Sequence, residues 1–292
     1  MAGTAACGST SSSGGDKVAL LVSTLNNPFF VDLRDGAQAA AKDLGVDLMV
    51  SDAQNDSSTQ QNQAQNAQSQ GAKAVIINPV DSDAASPAVA PLLSSNLPVI
   101  SVDRSVTGED VTSHIASDNV AGGAQAADEL AKAVGEKGKV IILQGTPGAA
   151  STRDRGDGFK KEIKKYSGIE VVAEQTANFD RAEALDVTTN LMQSNPDVVG
   201  IYAENDEMAL GAIQSLGSKA GADVKIFGFD GTEDGLKAVS NGTMVGTIAQ
   251  QPKELGKKAV EAAVKAIKGE SVEKTESIEV KTVTKGNVAD FQ

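Results

Sequence analysis

Residues 17–30 read Lys17-Val18-Ala19-Leu20-Leu21-Val22-Ser23-Thr24-Leu25-Asn26-Asn27-Pro28-Phe29-Phe30. The apolar run from Val18 to Val22 is too continuous for a strand with one wet face and reads as a strand buried on both faces of a parallel sheet. A polar stretch then leads through Asn26-Asn27-Pro28 into Phe29-Phe30, a strand-to-helix turn. The same alternation recurs outward along the chain. Further short runs stand at Leu48 to Val50, Ala74 to Ile77, Val99 to Val102, Val140 to Leu143, Glu170 to Ala173, Val199 to Ala203, Val224 to Phe229 and Val245 to Ala249.

Helix-length segments separate these runs. Leu255, Ala259, Ala262 and Ala266 fall at i, i+4, i+7 and i+11 on one helical face, with Lys257, Lys258 and Lys265 off it. The Gln/Asn-rich stretch from Asp52 to Gln70 resembles low complexity, yet Ala64, Ala67 and Gly71 give it a thin apolar face, and a helix is expected there. So many βα units exceed what one open sheet needs. Right-handed crossovers would pack them as α/β, two doubly wound, Rossmann-like parallel-sheet domains with a cleft between them. The helix signal lapses between Thr107 and Asn119, around His114-Ile115-Ala116-Ser117-Asp118, which marks the expected first crossing from one domain to the other.

A length of 292 residues suits two domains. Lys and Arg total 26 against 39 Asp and Glu, a net charge of −13 that repels nucleic acid and anionic membrane surfaces. One cysteine permits no internal disulfide, and the single histidine, His114, leaves little for zinc or histidine-based catalysis. No apolar run approaches the ~20 residues that span a bilayer. Residues 1–15, MAGTAACGSTSSSGG, bury too little apolar surface to order themselves and read as a tether. Within it, Thr4-Ala5-Ala6-Cys7 is similar to the end of a lipoprotein signal, which makes Cys7 a lipidation candidate although Thr4 stands where Leu is usual.

In open α/β sheets ligands sit beyond the carboxyl ends of the strands. The residues there are Ser23 to Asn27, Asn78, Asp103-Arg104, Asn205, Asp230 and Gln250, polar throughout and mostly with planar heads able to form paired hydrogen bonds. Each alone reads sooner as a helix cap or turn residue than as a ligand contact; their coincidence at one edge points to a site. Two acids, Asp103 and Asp230, against two bases, Arg104 and Arg155, leave that site near neutral, which fits an uncharged, hydroxyl-rich ligand better than a phosphate or carboxylate. Aromatic residues make up only 3% of the chain, with no Trp, yet Phe29 and Phe30 lie at this edge and Phe179 in a polar loop. Such rings either anchor helices to the core or stack on the C–H faces of a sugar.

These segments, together with Ile77-Asn78-Pro79, Val102-Asp103-Arg104, Ser113 to Asn119, Arg153-Asp154-Arg155-Gly156-Asp157-Gly158-Phe159, Asn205 to Gly211, Gly228 to Thr232 and Thr247-Ile248-Ala249-Gln250, closely resemble the bacterial D-ribose-binding proteins of the type I periplasmic binding protein family. The resemblance runs from about Lys17 to at least Val283. It implies an extracytoplasmic, monomeric solute-binding protein that delivers D-ribose, or a related neutral monosaccharide, to the membrane subunits of an ABC importer. It implies no enzymatic activity, no cofactor and no metal. The implied contacts are Ser23, Asn27, Phe29, Phe30, Asn78, Asp103 and Arg104 from one lobe and Arg155, Phe179, Asn205, Asp230 and Gln250 from the other, with the three Phe rings enclosing the pyranose. A three-crossing hinge is expected near Ser117-Asp118, Gln250-Gln251 and Glu279-Val280, dividing the chain into residues 16–117 plus 251–279 and residues 118–250 plus 280–292. The Cys7 context favours a lipid anchor on the outer face of a Gram-positive-type membrane over a periplasmic location. The departures from the family pattern, at Asp52 to Gln70, Glu270 to Glu279 and Lys285 to Gln292, concern surfaces more than sugar choice.

Three rival readings remain at this stage. Asp103 with Asp230 could be a glycosidase couple, but no GxSxG, Walker A, HExxH or GxGxxG motif occurs, Gly145-Thr146-Pro147-Gly148 reads as a turn, and His114 reads as structural. A sugar-responsive regulator would need a basic helix-turn-helix ahead of the first strand, where only the tether stands. Allose, galactose, xylose or a furanosyl signal would keep the class and change the ligand.

Overall fold

Residues 15–292 are described by a computed structural model; Cys7 and nearly all of the expected tether lie outside them. The first sheet collects β1 (Lys17–Val22), β2 (Asp47–Asp52), β3 (Ala74–Ile77), β4 (Val99–Val102), β5 (Ser113–Ser117) and β11 (Thr275–Ile278), in the order β11-β5-β4-β3-β1-β2. The second collects β6 (Lys137–Gln144), β7 (Gly168–Thr176), β8 (Val198–Ala203), β9 (Lys225–Asp230), β10 (Gly246–Ala249) and β12 (Lys281–Thr284), in the order β12-β10-β9-β8-β6-β7. All pairings are parallel except that of β10 with β12. The two sheets therefore share one winding, with the strand order reversing beside β1 in one lobe and beside β6 in the other, and crevices at such reversals are where open α/β sheets take ligands.

Both faces of the first sheet are covered. Val18, Leu20 and Val22 pack with α1 (Pro28–Leu44) and α9 (Pro252–Ile267). Ala19 and Leu21 point the other way, toward α2 (Ser57–Ser69) and α3 (Ser86–Ser94), so the continuous apolar run supplies two cores through the period-2 alternation of a strand. In the second lobe α4 (Asn119–Ala133) and α5 (Ala150–Ile163) cover one face. The other face carries α6 (Arg181–Ser194), α7 (Asp206–Leu216) and α8 (Glu233–Asn241). Contact between α1 and α9 is close: a Cβ on Gly36 would stand 2.1 Å from the Lys253 carbonyl oxygen, and one on Gly256 would stand 2.0 Å from that of Leu33.

The chain passes from the first sheet to the second at Asp118, which follows β5 and caps α4 by accepting the Ala121 N–H at 2.9 Å. It returns between β10 and α9 and leaves again between β11 and β12. The crossing falls within the expected stretch from Thr107 to Asn119, but that stretch also holds a strand, Ser113–Ser117, that the sequence reading missed. Its Ser-His-Ile-Ala-Ser pattern is buried only at alternate residues, so it shows no continuous apolar run. β11 and β12 also escaped the strand reading, because short polar edge strands lack that run. The Gln/Asn-rich helix starts later than expected, at Ser57, after Gln54 and Asn55 adopt positive φ. It buries Gln60 beside Ala64 and Ala67. Gln60 donates to the Asn78 carbonyl at 2.9 Å and accepts from the Val80 N–H at 3.0 Å, so this polar helix fixes the loop beyond β3.

Candidate functional site

A small cavity lies between the carboxyl edges of the two sheets, lined by Asn27, Phe29, Phe30, Asp103, Arg104, Ser151, Arg155, Phe179, Asn205, Asp230 and Gln250. Ten of the twelve residues expected from sequence are among them. Ser23 and Asn78 are not; they stand behind the cavity and are fully buried. There the Ser23 N–H donates to Asn78 Oδ1 at 3.1 Å, and Asn78 Nδ2 donates to Asp103 Oδ2 at 3.1 Å. These two residues therefore aim an acid instead of lining the wall.

Asp103 follows β4 with φ of 65°, and the Arg104 N–H donates to the Val102 carbonyl at 2.7 Å across it. This three-residue turn with positive φ is strained for any residue with a Cβ. It turns the carboxyl toward the cavity and places Arg104 beside it, with Nε 3.7 Å from Asp103 Oδ2. Arg104 Nη1 donates to the carbonyls of Pro79 and Val80, both at 3.1 Å. Its guanidinium lies 5.4 Å from the Phe30 ring and 5.4 Å from the Phe179 ring, so one cation touches an aromatic wall of each lobe.

The second lobe repeats the design. Asp230 ends β9 with φ of 127°. Its Oδ1 accepts Gln250 Nε2 at 2.7 Å and lies 3.7 Å from Arg155 Nη1. Arg155 stretches along the Phe229 face at 3.8 Å, donating to Asn119 Oδ1 at 2.8 Å and to the Glu204 carbonyl at 2.7 Å. Phe179 is held by two successive positive-φ residues, Asn178 and Phe179. Its ring lies on Gly145, where an added Cβ would come within 2.0 Å of it.

Several lining residues serve two purposes. Asn27 caps α1 by accepting the Phe29 N–H at 2.9 Å, and Asn205 caps α7 by accepting the Met208 N–H at 2.9 Å. Phe29 and Phe30 belong to the first core and also line the cavity, their rings edge to face at 5.2 Å. Ser151 was not singled out from sequence; it lies on the first turn of α5, one helical turn before Arg155 on the same face. That i, i+4 spacing was the available signal.

Burial governs the electrostatics. It pushes Asp103 and Asp230 up from the ordinary carboxylate range, against the pull of Arg104 and Arg155 on the first and of Arg155 on the second. It pushes Arg104 down, against the pull of Asp103. Two carboxylates and two guanidinium groups nevertheless balance in formal charge. Asp103 Oδ1, Arg104 Nε and Gln250 Oε1 are buried without a partner in the protein, and buried polar atoms need one. The arrangement offers acceptors, a donor and flat apolar walls to a small neutral ligand rich in hydroxyls.

His114 lies away from the cavity with Nδ1 2.8 Å from Ser101 Oγ. The Gly145–Gly148 turn has no free cradle for phosphate at its first residue, because Glu204 Oε2 takes the Gly145 N–H at 2.8 Å. Further along, the same turn reaches the opposite lobe. The Ser82 N–H donates to the Gly148 carbonyl at 2.9 Å, and the Ala150 N–H to Ser82 Oγ at 3.1 Å. Arg153 pairs with Asp83 at 3.2 Å. The two lobes are thus shut against each other on this side of the cavity. Among the described residues there is no His, Cys, Asp and Glu cluster able to hold a metal, and no helix is long and apolar enough to cross a membrane.

A family described as periplasmic binding protein domain matches residues 18–271. The chain is 48% identical over 270 residues to the ribose import binding protein of Escherichia coli, covering 92% of this chain and 91% of that one. It is 43% identical over 267 residues to the ribose import binding protein of Bacillus subtilis, covering 91% and 87%. Among solved structures, an ABC transporter solute binding protein of Bacillus halodurans with bound myo-inositol superposes with a TM-score of 0.90 at 33% identity, covering 97% of this chain and 99% of that one. A carbohydrate transporter solute binding protein of Agrobacterium radiobacter in complex with D-arabinose gives 0.90 at 31% identity, covering 96% and 97%.

Proposed function

The chain belongs to the periplasmic binding protein family, and from that premise we infer that it is an extracytoplasmic solute-binding protein that captures D-ribose between its lobes and delivers it to an ABC importer. It is a binding protein, as its relatives are, and not an enzyme. One observation carries the ligand class: a small cavity divided between two lobes, balanced in charge, walled by three phenyl rings and holding unpaired buried polar atoms. The pyranose ring lies between Phe29 and Phe30 on one side and Phe179 on the other. Asp103, Arg104, Arg155, Asn205, Asp230 and Gln250 bond its hydroxyls, with Asn27 and Ser151 at the wall. Ser23 and Asn78 orient Asp103.

Capture proceeds by closure. The lobes, residues 16–117 plus 251–279 and residues 118–250 plus 280–292, turn about the three crossings. The full set of contacts exists only when both lobes reach the sugar, so sugar shifts the population toward the shut form. The Ser82–Gly148 and Asp83–Arg153 contacts then close one side of the mouth. The shut form presents one edge of each lobe at the spacing the importer's membrane subunits read. The protein acts as a monomer, and Cys7, following Thr4-Ala5-Ala6, anchors it through lipid to the outer face of the membrane.

The reading is tested by melting the protein, refolded free of ligand, with a panel of pentoses and hexoses. A ligand that binds only the native state raises the melting temperature by mass action, by about 2.7 kcal/mol of stability at a hundred times its Kd. D-ribose gives the largest rise. A larger rise with arabinose, allose or myo-inositol moves the ligand within the class, and no rise with any sugar refutes the reading.

A further inference from the structure

The second lobe buries a carboxyl beside the cavity that no sugar contact uses. Glu204 lies between the end of β8 and the cap residue Asn205, with no exposed surface. Its Oε2 accepts the Gly145 N–H at 2.8 Å, while Oε1 is buried without a partner. Oε1 faces bare Gly156 on α5, where an added Cβ would stand 2.9 Å from it, one residue beyond Arg155. The Glu204 carbonyl accepts Arg155 Nη1 at 2.7 Å, and Gly145 is the seat of the Phe179 ring. One residue therefore ties together the aromatic wall and the guanidinium of this lobe.

The groups that face this carboxyl come from every element around it. Arg155 and Lys160 belong to α5 and Glu174 to β7, with Lys160 and Glu174 paired at 3.3 Å. Tyr202 of β8, whose hydroxyl is also buried without a partner, feels the same charge. Burial pushes the Glu204 carboxyl up to about 8, with the Gly145 N–H, Arg155 and Lys160 pulling it down and Glu174 adding to the rise. A raised acid favours its neutral form in the folded protein. Its contribution to stability is complete below the ordinary carboxylate range and is lost as pH rises through about 8.

We propose that Glu204 is a positioning residue of the sugar site, a buried carboxylic acid that keeps its proton while the cavity holds sugar, so that capture weakens in alkaline solution. The proposal rests on the sugar-binding reading above. Loss of the proton tightens the bond from the Gly145 N–H and adds a negative charge that pulls on Arg155 and Lys160 of α5. The guanidinium, 3.7 Å from Asp230 of the same lobe, is then drawn toward Glu204, and the wall and the cation lose their shared register.

The test is D-ribose calorimetry from pH 6.5 to 9.5 on the wild type and on Glu204→Gln, whose amide copies the neutral acid and still accepts from Gly145. The wild type holds its affinity to pH 7 and loses about tenfold by pH 9, one unit beyond the titration. Glu204→Gln, whatever its affinity at pH 7, shows no decline over the same range. A level wild type, or an equal decline in both proteins, overturns the proposal. No ribose binding to the wild type at pH 7 overturns the underlying reading and the proposal with it. A second measurement needs no variant: at pH 8, in buffers of different ionisation enthalpy, each sugar bound takes up roughly half a proton, and zero uptake overturns the proposal.

Discussion

Replacing Asp103 by Asn removes a charge from the cavity and little else. The backbone there has φ of 65°, and Asn, which matches Asp in shape and is among the residues most often found at positive φ, adds less strain than Ala would, so Asn is the cleaner substitution. Its amide oxygen can keep the bond that Asn78 Nδ2 makes to Asp103 Oδ2 at 3.1 Å. The amide nitrogen then replaces Oδ1, the oxygen without a protein partner, and presents a donor where the sugar meets an acceptor. Arg104 loses its counter-charge at 3.7 Å but keeps the Pro79 and Val80 carbonyls. The loss is a hydrogen bond to a charged group, about 1.5–3 kcal/mol, and at 1.36 kcal/mol per tenfold that is roughly 10- to 150-fold in Kd. Calorimetry with D-ribose at pH 7 measures it, with a ligand-free melt as control. Affinity within twofold of wild type, in a variant that melts as wild type does, would refute the assignment of Asp103 as a sugar contact.

Two further outcomes follow from close packing. Gly145→Ala drives a methyl into the Phe179 ring, 2.0 Å from its nearest atom; overpacking of this kind destabilises the fold by about 1–3 kcal/mol, so the ligand-free melt falls, and D-ribose affinity falls with it because the ring must move out of its place; an unchanged Kd would show that Phe179 does not wall the site. Gly36→Ala sets a methyl 2.1 Å from the Lys253 carbonyl at the contact of α1 with α9; the ligand-free melting temperature falls by several degrees at about 2–4 °C per kcal/mol, and a melt equal to wild type contradicts the described contact.

The fold was legible where burial is two-sided. Nine strands read as apolar runs: seven are inner strands covered on both faces and carry little polar sequence, while the edge strands β2 and β7 keep a short apolar stretch between polar ends. Ser113–Ser117, Thr275–Ile278 and Lys281–Thr284 did not, since edge or half-buried strands keep polar residues and their pairing is decided by partners far away in sequence. The site was legible because strand ends carried Asn, Asp, Arg and Gln together, and because resemblance supplied Arg155 and Phe179 from within a helix and a loop. Ser23 and Asn78 stand behind the cavity instead of lining it, and a strand-end position alone does not separate the two placements. Glu204 stood out only in three dimensions: its sequence neighbourhood, Ala203-Glu204-Asn205, looks like an ordinary polar cap. What distinguishes it is the closeness of Gly156 and Gly145, which no spacing reveals.

Titration calorimetry of the ligand-free wild-type protein with D-ribose tests the central claim most directly. One sugar per chain, bound more tightly than arabinose or allose, is the predicted result. Absence of heat and of competition from D-ribose, in protein that retains its cooperative melt, would contradict the account.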